Sequence, residues 1–127
     1  MTLRTYETDD PISSVMTKGV LSIKTSKNLE EAISIMHDFD VGSLIVTDNG
    51  KAVGIITSKD IIKVVAQKQE LKKIKVKDIM QTPIIQITAH ETVSSAMIKM
   101  KEQKVHHLIV VDGEKIIGMV NPLNLLA

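Results

Sequence analysis

The sequence has no cysteine and almost no aromatic residues, with one Phe, one Tyr and no Trp among 127 residues. Without cysteine there is no disulfide, no thiolate metal site and no thiol nucleophile. The scarcity of aromatic rings leaves little surface for base stacking, which argues against single-stranded nucleic-acid binding. Sixteen basic and fifteen acidic residues nearly cancel, so no strong overall field selects a polyanionic partner.

Long apolar runs are also missing. The longest are about five residues, whereas a bilayer-spanning helix needs about 20. The polar segment Met1–Asp10 lacks the apolar core of a signal peptide. We therefore expect a cytoplasmic protein with no membrane partner.

What the chain does contain is a duplication. A shift of 64 residues superimposes Met16–Ile62 on Met80–Leu126 without a gap and with eleven identical pairs, where chance would give about three. Ten of the other 36 pairs exchange one apolar residue for another. One structural unit is therefore used twice.

Each repeat has the pattern strand, helix, strand, strand, helix. The stretches Val20–Lys24 and Ile84–Thr88 predict the first strands. Helical spacing predicts two helices, with Asn28 and Thr92 as their N-caps. We expect one buried stripe on each helix, formed by Leu29, Ala32, Ile33, Met36 and Phe39 in the first repeat and by Val93, Ala96, Met97 and Met100 in the second.

Turn signals at Asp48–Lys51 and Asp112–Lys115 predict a hairpin in each repeat. After the first hairpin we expect a helix over Ser58–Gln67, capped by Ser58. Its inward residues are predicted to be Ile61, Ile62, Val64 and Val65. The second repeat has room for barely one turn at Asn124–Ala127.

The first hairpin ends in the motif Gly54-Ile55-Ile56-Thr57-Ser58-Lys59-Asp60, and Val15-Met16 and Ile79-Met80 open the repeats. With the gapless duplication, these features resemble a tandem pair of cystathionine-β-synthase (CBS) domains, or Bateman module. The resemblance covers Ile12–Ile62 and Val76–Leu126. It implies an α/β (α+β) fold of two pseudo-twofold-related β-α-β-β-α CBS units packed through their sheets. The corresponding division is 10–68 for the first unit, 69–75 for a linker and 76–127 for the second.

The resemblance also implies a regulatory ligand-binding module rather than an enzyme. Its ligand would be AMP, ADP or ATP, bound in a cleft between the two units, or S-adenosylmethionine or NAD as in some relatives; no cofactor is expected. An Asp in the first turn of a helix can accept hydrogen bonds from ribose hydroxyls, while a Thr hydroxyl and helix N–H groups face phosphate. A homodimer is implied as well, with a candidate surface formed by Ile61, Ile62, Val64, Val65, Leu125 and Leu126.

Carried over onto this chain, the family pattern gives two unequal sites. The main nucleotide site consists of Ile55, Thr57, Lys59, Asp60, Thr82, Pro83, Ile84, Ile85, His106 and His107. The second, degenerate site consists of Lys18, Gly19, Val20, Gly42, Ser43, Asn121 and Asn124. Because Asn121 and Asn124 stand in place of Thr57 and Asp60, the second site has lost a charge and acceptor capacity. We expect it to be weak or empty.

These residues also have simpler interpretations. An Asp near a helix start is commonly a cap or a partner of the helix dipole. Adjacent histidines flanking a strand point to opposite faces, so we expect at most one of His106 and His107 to face the cleft. A metal site combining them with His37 or His90 is disfavoured because the spacings match no common site.

The predicted function is a stand-alone module that senses energy state by binding an adenine nucleotide and signals to a partner protein in trans. One alternative is a ligand-free CBS scaffold that serves only in assembly. Another is nucleic-acid binding through Lys68, Lys72, Lys73, Lys75 and Lys77. For these lysines a solvated linker is the favoured interpretation, since Glu70 and Asp78 interrupt the run.

Overall fold

The computed structural model describes residues 9–125, which fold into two three-stranded sheets with helices. They form two compact units. The first-sheet unit is Leu21–Ile84, and the second-sheet unit combines the described residues up to Val20 with those from Ile85 onward. The predicted mixed fold class is confirmed.

The first-sheet unit has one parallel and one antiparallel strand pair, in the order β1-β2-β3. A helix connects the parallel pair, because parallel strands need a crossover. The antiparallel pair closes through Asn49 and Gly50, both at positive φ, as a tight hairpin turn requires. The elements are β1 (Ser22–Lys24), α1 (Leu29–Phe39), β2 (Ser43–Asp48), β3 (Lys51–Thr57), α2 (Ser58–Ala66), a 3-10 turn (Leu71–Lys73) and α3 (Val76–Ile79).

The second-sheet unit repeats this arrangement, in the order β4-β5-β6. A register shift between Val46 and Thr47 in the first sheet recurs between Val110 and Val111 in the second. The counterpart of α2 is a single 3-10 turn, so the second repeat does not end in an α-helix within the described residues. The elements are a 3-10 turn (Ile12–Ser14), β4 (Gln86–Thr88), α4 (Val93–Gln103), β5 (Leu108–Asp112), β6 (Lys115–Val120) and a 3-10 turn (Pro122–Leu125).

The stretch that opens each sequence repeat, residues 12–17 in the first and 76–81 in the second, packs against the sheet of the other repeat. These two stretches are the opening segments. Ile12 is fully buried in the core of the second-sheet unit, and Val76 in that of the first. Backbone hydrogen bonds join Thr17 to Met119 (2.8 and 3.0 Å) and Gln81 to Ile55 (2.8 and 3.1 Å). The predicted division at 10–68, 69–75 and 76–127 follows the sequence repeats, whereas the compact units follow these contacts.

The glycine that opens the hairpin motif makes this packing possible. A Cβ on Gly54 would lie 2.7 Å from Met80 Sδ and 3.0 Å from the Gln81 carbonyl oxygen. On Gly118 it would lie 2.6 Å from Met16 Sδ and 2.8 Å from the carbonyl oxygen of Thr17. Glycine therefore lets the opening segment cross close over the last strand, which is a physical reason for the motif's first residue.

The helix stripes are narrower than predicted. Phe39 is 63% exposed and Met97 51% exposed, so the prediction that they are buried was wrong. Both lie at the edge of their stripe, and Phe39 is also the last residue of α1. The described buried residues are Leu29, Ala32 and Met36 on α1 and Val93, Ala96 and Met100 on α4.

On α2, Ile61 and Val64 are buried, but Ile62 and Val65 are 65% and 53% exposed. Successive helical residues are about 100° apart, so all four cannot face one sheet. Among the described members of the candidate dimer surface, Ile62 and Val65 are thus exposed and Leu125 is half-buried. Leu126 lies outside the described residues.

Candidate functional site

The junction of β3 and α2 is a reciprocal capping box. Thr57 is the N-cap, its Oγ1 accepting from Asp60 N at 3.2 Å, while Asp60 Oδ2 accepts from Thr57 N at 2.9 Å. The cap therefore lies one residue before the predicted Ser58. Ser58 is the first residue of α2, and its backbone N–H donates to the Gly42 carbonyl oxygen. The arrangement sets a carboxylate at the positive end of the α2 dipole.

The Asp60 carboxylate is also held by a residue far along the chain. Gln81 Nε2 donates to both carboxylate oxygens, to Oδ1 at 3.1 Å and to Oδ2 at 3.0 Å. Thr57 Oγ1 adds a third bond to Oδ2 at 2.9 Å. Asp60 is half-buried and Thr57 only 7% exposed, so the cluster is anchored on one side and open on the other.

Seven of the ten residues predicted for the main site lie in the first-sheet unit. Ile55 is buried, and its backbone bonds to Gln81 fix the start of the segment 82–84 against the end of β3. The seven are Ile55, Thr57, Lys59, Asp60, Thr82, Pro83 and Ile84. The other three, Ile85, His106 and His107, lie in the second-sheet unit.

The second-sheet unit carries the counterpart of the Asp60 cluster with different chemistry. Asn121 N donates to Asn124 Oδ1 at 2.9 Å, and Asn124 N donates to Asn121 Oδ1 at 3.1 Å. Asn124 Nδ2 then donates to Thr17 Oγ1 at 3.0 Å. The same backbone cap is thus kept without a charge, and the single side-chain oxygen of Asn124 accepts one of its bonds.

The remaining predicted residues divide between the two units in the same way. Lys18 and Gly19 are exposed and Val20 is half-buried, in the second-sheet unit with Asn121 and Asn124. Gly42 and Ser43 lie in the first-sheet unit, where Gly42 accepts from Ser58. Immediately before β5, His106 is exposed and His107 half-buried.

Sequence reasoning missed Gln81 and Thr17, the residues that contact Asp60 and Asn124. The 64-residue alignment places Thr17 opposite Gln81 and Asp60 opposite Asn124. It shows that the two repeats differ at these positions but not that the positions touch. Nothing in the linear spacing brings residues 60 and 81 together.

Neither a metal centre nor a membrane span emerges from the described part of the chain. No three His, Cys, Asp or Glu residues among positions 9–125 are placed to hold a metal ion. No helix in the same range is long and apolar enough to cross a bilayer.

Comparison with known proteins identifies one family across the chain. The sequence model described as the CBS domain matches residues 12–67 and 76–127. An uncharacterized protein of Methanocaldococcus jannaschii, MJ1404, is 29% identical over 93% of this chain. A homoserine O-acetyltransferase of Methanococcus vannielii is 28% identical over 90% of it. The chain spans only 31% and 24% of these two proteins, respectively.

Solved structures show the same similarity. An uncharacterized conserved protein from Pyrococcus horikoshii has a TM-score of 0.79 and 34% identity, with 94% of this chain and 92% of that one covered. The CBS domain pair of MJ0100, in complex with 5′-methylthioadenosine and S-adenosyl-L-methionine, has a TM-score of 0.74 and 28% identity, with 91% of each chain covered. The CBS protein PAE2072 from Pyrobaculum aerophilum, complexed with AMP, shares the fold at a TM-score of 0.76 and 21% identity, covering 92% and 91%.

Proposed function

The chain belongs to the CBS domain family, as a pair of CBS domains, and from this premise we propose that it is a regulatory module that binds an adenosine-containing ligand at the Asp60 end of the first-sheet unit. AMP, ADP and ATP are the proposed ligands. The observation that carries the proposal is the Thr57–Asp60 cluster: a charged, half-buried acceptor at a helix start, next to a buried threonine hydroxyl.

The chemistry of this cluster suits a nucleoside. A carboxylate can accept hydrogen bonds from both hydroxyls of a ribose, and charge-assisted bonds of this kind are about twice as strong as neutral ones. The start of α2 favours an anion through its dipole. Support from a relative comes from MJ0100, whose CBS domain pair is crystallised with two adenosine derivatives.

The Asn124 cluster is proposed to be the weaker site. Its one side-chain acceptor, Oδ1, already accepts from Asn121 N, and its amide donates to Thr17. The remaining lone pair of Oδ1 can accept one ribose hydroxyl but not both, and an incoming hydroxyl meets no negative charge there. The predicted contributions of His106 and His107 to phosphate binding stay proposals, as do the homodimer and the signal to a partner protein in trans.

Calorimetric titration of AMP into nucleotide-stripped protein tests this function. We expect one site per chain and at least about tenfold weaker binding in Asp60→Asn, since a hydrogen bond to a charged group contributes roughly 1.5–3 kcal/mol. Asparagine at position 60 can keep the cap, as Asn124 does, so the variant isolates the charge. Asn124→Ala is the matched control and is expected to retain the site.

Two results would contradict the proposal. Equal affinities in the wild type and Asp60→Asn would remove Asp60 from the site. Absence of heat and of thermal stabilisation with millimolar AMP, ATP and S-adenosylmethionine would favour the ligand-free scaffold instead.

A further inference from the structure

The Gln81 side chain occupies the part of the Asp60 carboxylate that a ribose would use. Its Nε2 lies 3.1 Å from Oδ1 and 3.0 Å from Oδ2. We propose that Gln81 is a latch: its amide takes the place of the sugar hydroxyls in the free protein, and the ligand must displace it. This inference rests on the proposed function and adds a residue that sets the affinity of the same site.

The hydrogen bonds on Asp60 leave few other positions for a ligand. A carboxylate offers about four lone-pair positions. Thr57 N and Thr57 Oγ1 both donate to Oδ2. A donor nearly equidistant from the two oxygens lies on the edge they share, and this is the edge where a cis-diol places one hydroxyl on each oxygen. Bidentate binding of a ribose and the Gln81 contact are therefore mutually exclusive.

Gln81 can leave this position without disturbing the fold. Its side chain is exposed, while its backbone is fixed by two hydrogen bonds to Ile55. Rotation of the side chain into solvent breaks only the amide contact and returns rotamer freedom to a long side chain. Gln81 thus lowers the affinity of the site for its ligand but does not prevent the ligand from binding.

The other repeat lacks such a latch. There the direction of the bond is reversed, because Asn124 Nδ2 donates and Thr17 Oγ1 accepts. The short Thr17 side chain presents no amide to the residue at position 124. An amide donor thus occupies the ribose-binding edge of the charged Asp60, and no such amide faces the neutral Asn124.

Calorimetry with AMP tests the latch on the full chain, using the wild type, Gln81→Ala and Gln81→Met. Methionine keeps a long unbranched side chain but has no N–H or O–H donor. Loss of one net hydrogen bond predicts about threefold to tenfold tighter AMP binding in both variants. Gln69→Ala removes an exposed glutamine of the same unit outside the site and serves as the control. Circular dichroism melting verifies that every variant is folded.

The possible results separate the latch from the proposed function. Tighter binding in both Gln81 variants with Gln69→Ala unchanged supports the latch, as does binding that emerges only in the variants. Wild-type binding with equal or weaker binding in the folded Gln81 variants overturns the latch and leaves the proposed function standing. No AMP binding by any form overturns both.

Discussion

At the scale of single residues, the two repeats differ most informatively at positions 60 and 124. Asp60 and Asn124 occupy the same place at the end of a hairpin and differ by one group, an oxygen in the first and an NH₂ in the second. That change reverses the hydrogen bond to the opening segment, which Gln81 donates in one repeat and Thr17 accepts in the other. Similar backbone geometry therefore carries a charged side chain in one repeat and a neutral one in the other.

Glu91 is a second residue at which the repeats diverge, since its counterpart is Lys27. Its carboxylate accepts from Thr88 N at 2.8 Å and from Ser95 Oγ at 3.1 Å. The Thr88 backbone bond is the main cause that holds the pKa of Glu91 below its ordinary value; partial burial opposes it, and Ser95 and Lys99 add to the lowering.

Glu91 is expected to make the protein less stable in acid. Because its pKa is lower in the folded state than in the unfolded state, its contribution is fully present above the unfolded value and is lost as the pH falls through the folded one. Chemical denaturation between pH 7 and pH 3 measures this loss. Glu91→Gln is expected to be less stable than the wild type at pH 7 and to converge with it in acid.

Glu114→Gln, in the exposed turn between β5 and β6, makes the same change of charge without those partners and is the control. A constant difference between Glu91→Gln and the wild type at every pH would contradict the assignment.

At the scale of elements, the sequence predicted where helices and hairpins lie better than how they begin and which side they bury. Asn28 and Thr92 cap α1 and α4 as expected, accepting from Glu31 N and Ser95 N. The cap of α2 lies one residue before the predicted Ser58. Thr57 and Ser58 are both good caps, but Asp60 stands three residues after Thr57, and its carboxylate completes a capping box with Thr57. Helical periodicity likewise identified the buried face of α1 and α4 but not how wide that face is, so Phe39 and Met97 were included in error.

The cap assignment has a direct consequence for stability. Thr57→Ala is expected to lower the free energy of unfolding by about 1 kcal/mol or more, since an N-cap substitution costs roughly 0.5–2 kcal/mol. Ser58→Ala, one residue later and exposed, is expected to change it by less than about 0.5 kcal/mol. Urea denaturation of the two variants measures both values, and the opposite ranking would restore Ser58 as the cap.

At the scale of the whole molecule, the duplication was visible in the sequence, but the partners of its opening segments were not. Gly54 and Gly118 align in the repeat, and the motif signalled that they matter. Each glycine makes room for an opening segment. That segment opens one repeat in the sequence but packs on the sheet of the other repeat. Linear patterns report that a residue needs a partner without identifying it, so the Gln81–Asp60 contact was out of reach.

These contacts predict which fragments fold. Residues 21–84 contain every member of the first-sheet core, including the fully buried Val76. The fragment 10–68 matches a sequence repeat but omits Val76 and the Gln81 backbone bonds to Ile55. We expect the first fragment to melt cooperatively and the second to lack a cooperative transition, by circular dichroism and amide proton dispersion. A folded 10–68 fragment would contradict this account of the core.

The most direct test of the central claim, that the two hairpin ends are unequal ligand sites, is an amide NMR titration of the full chain with AMP. We predict saturable shifts for Thr57, Asp60 and Gln81, with the Gln81 side-chain amide among the signals that move most. Asn121 and Asn124 are predicted to shift only at much higher AMP concentrations. Equal responses at the two hairpin ends, or a first response at Asn124, would contradict the account.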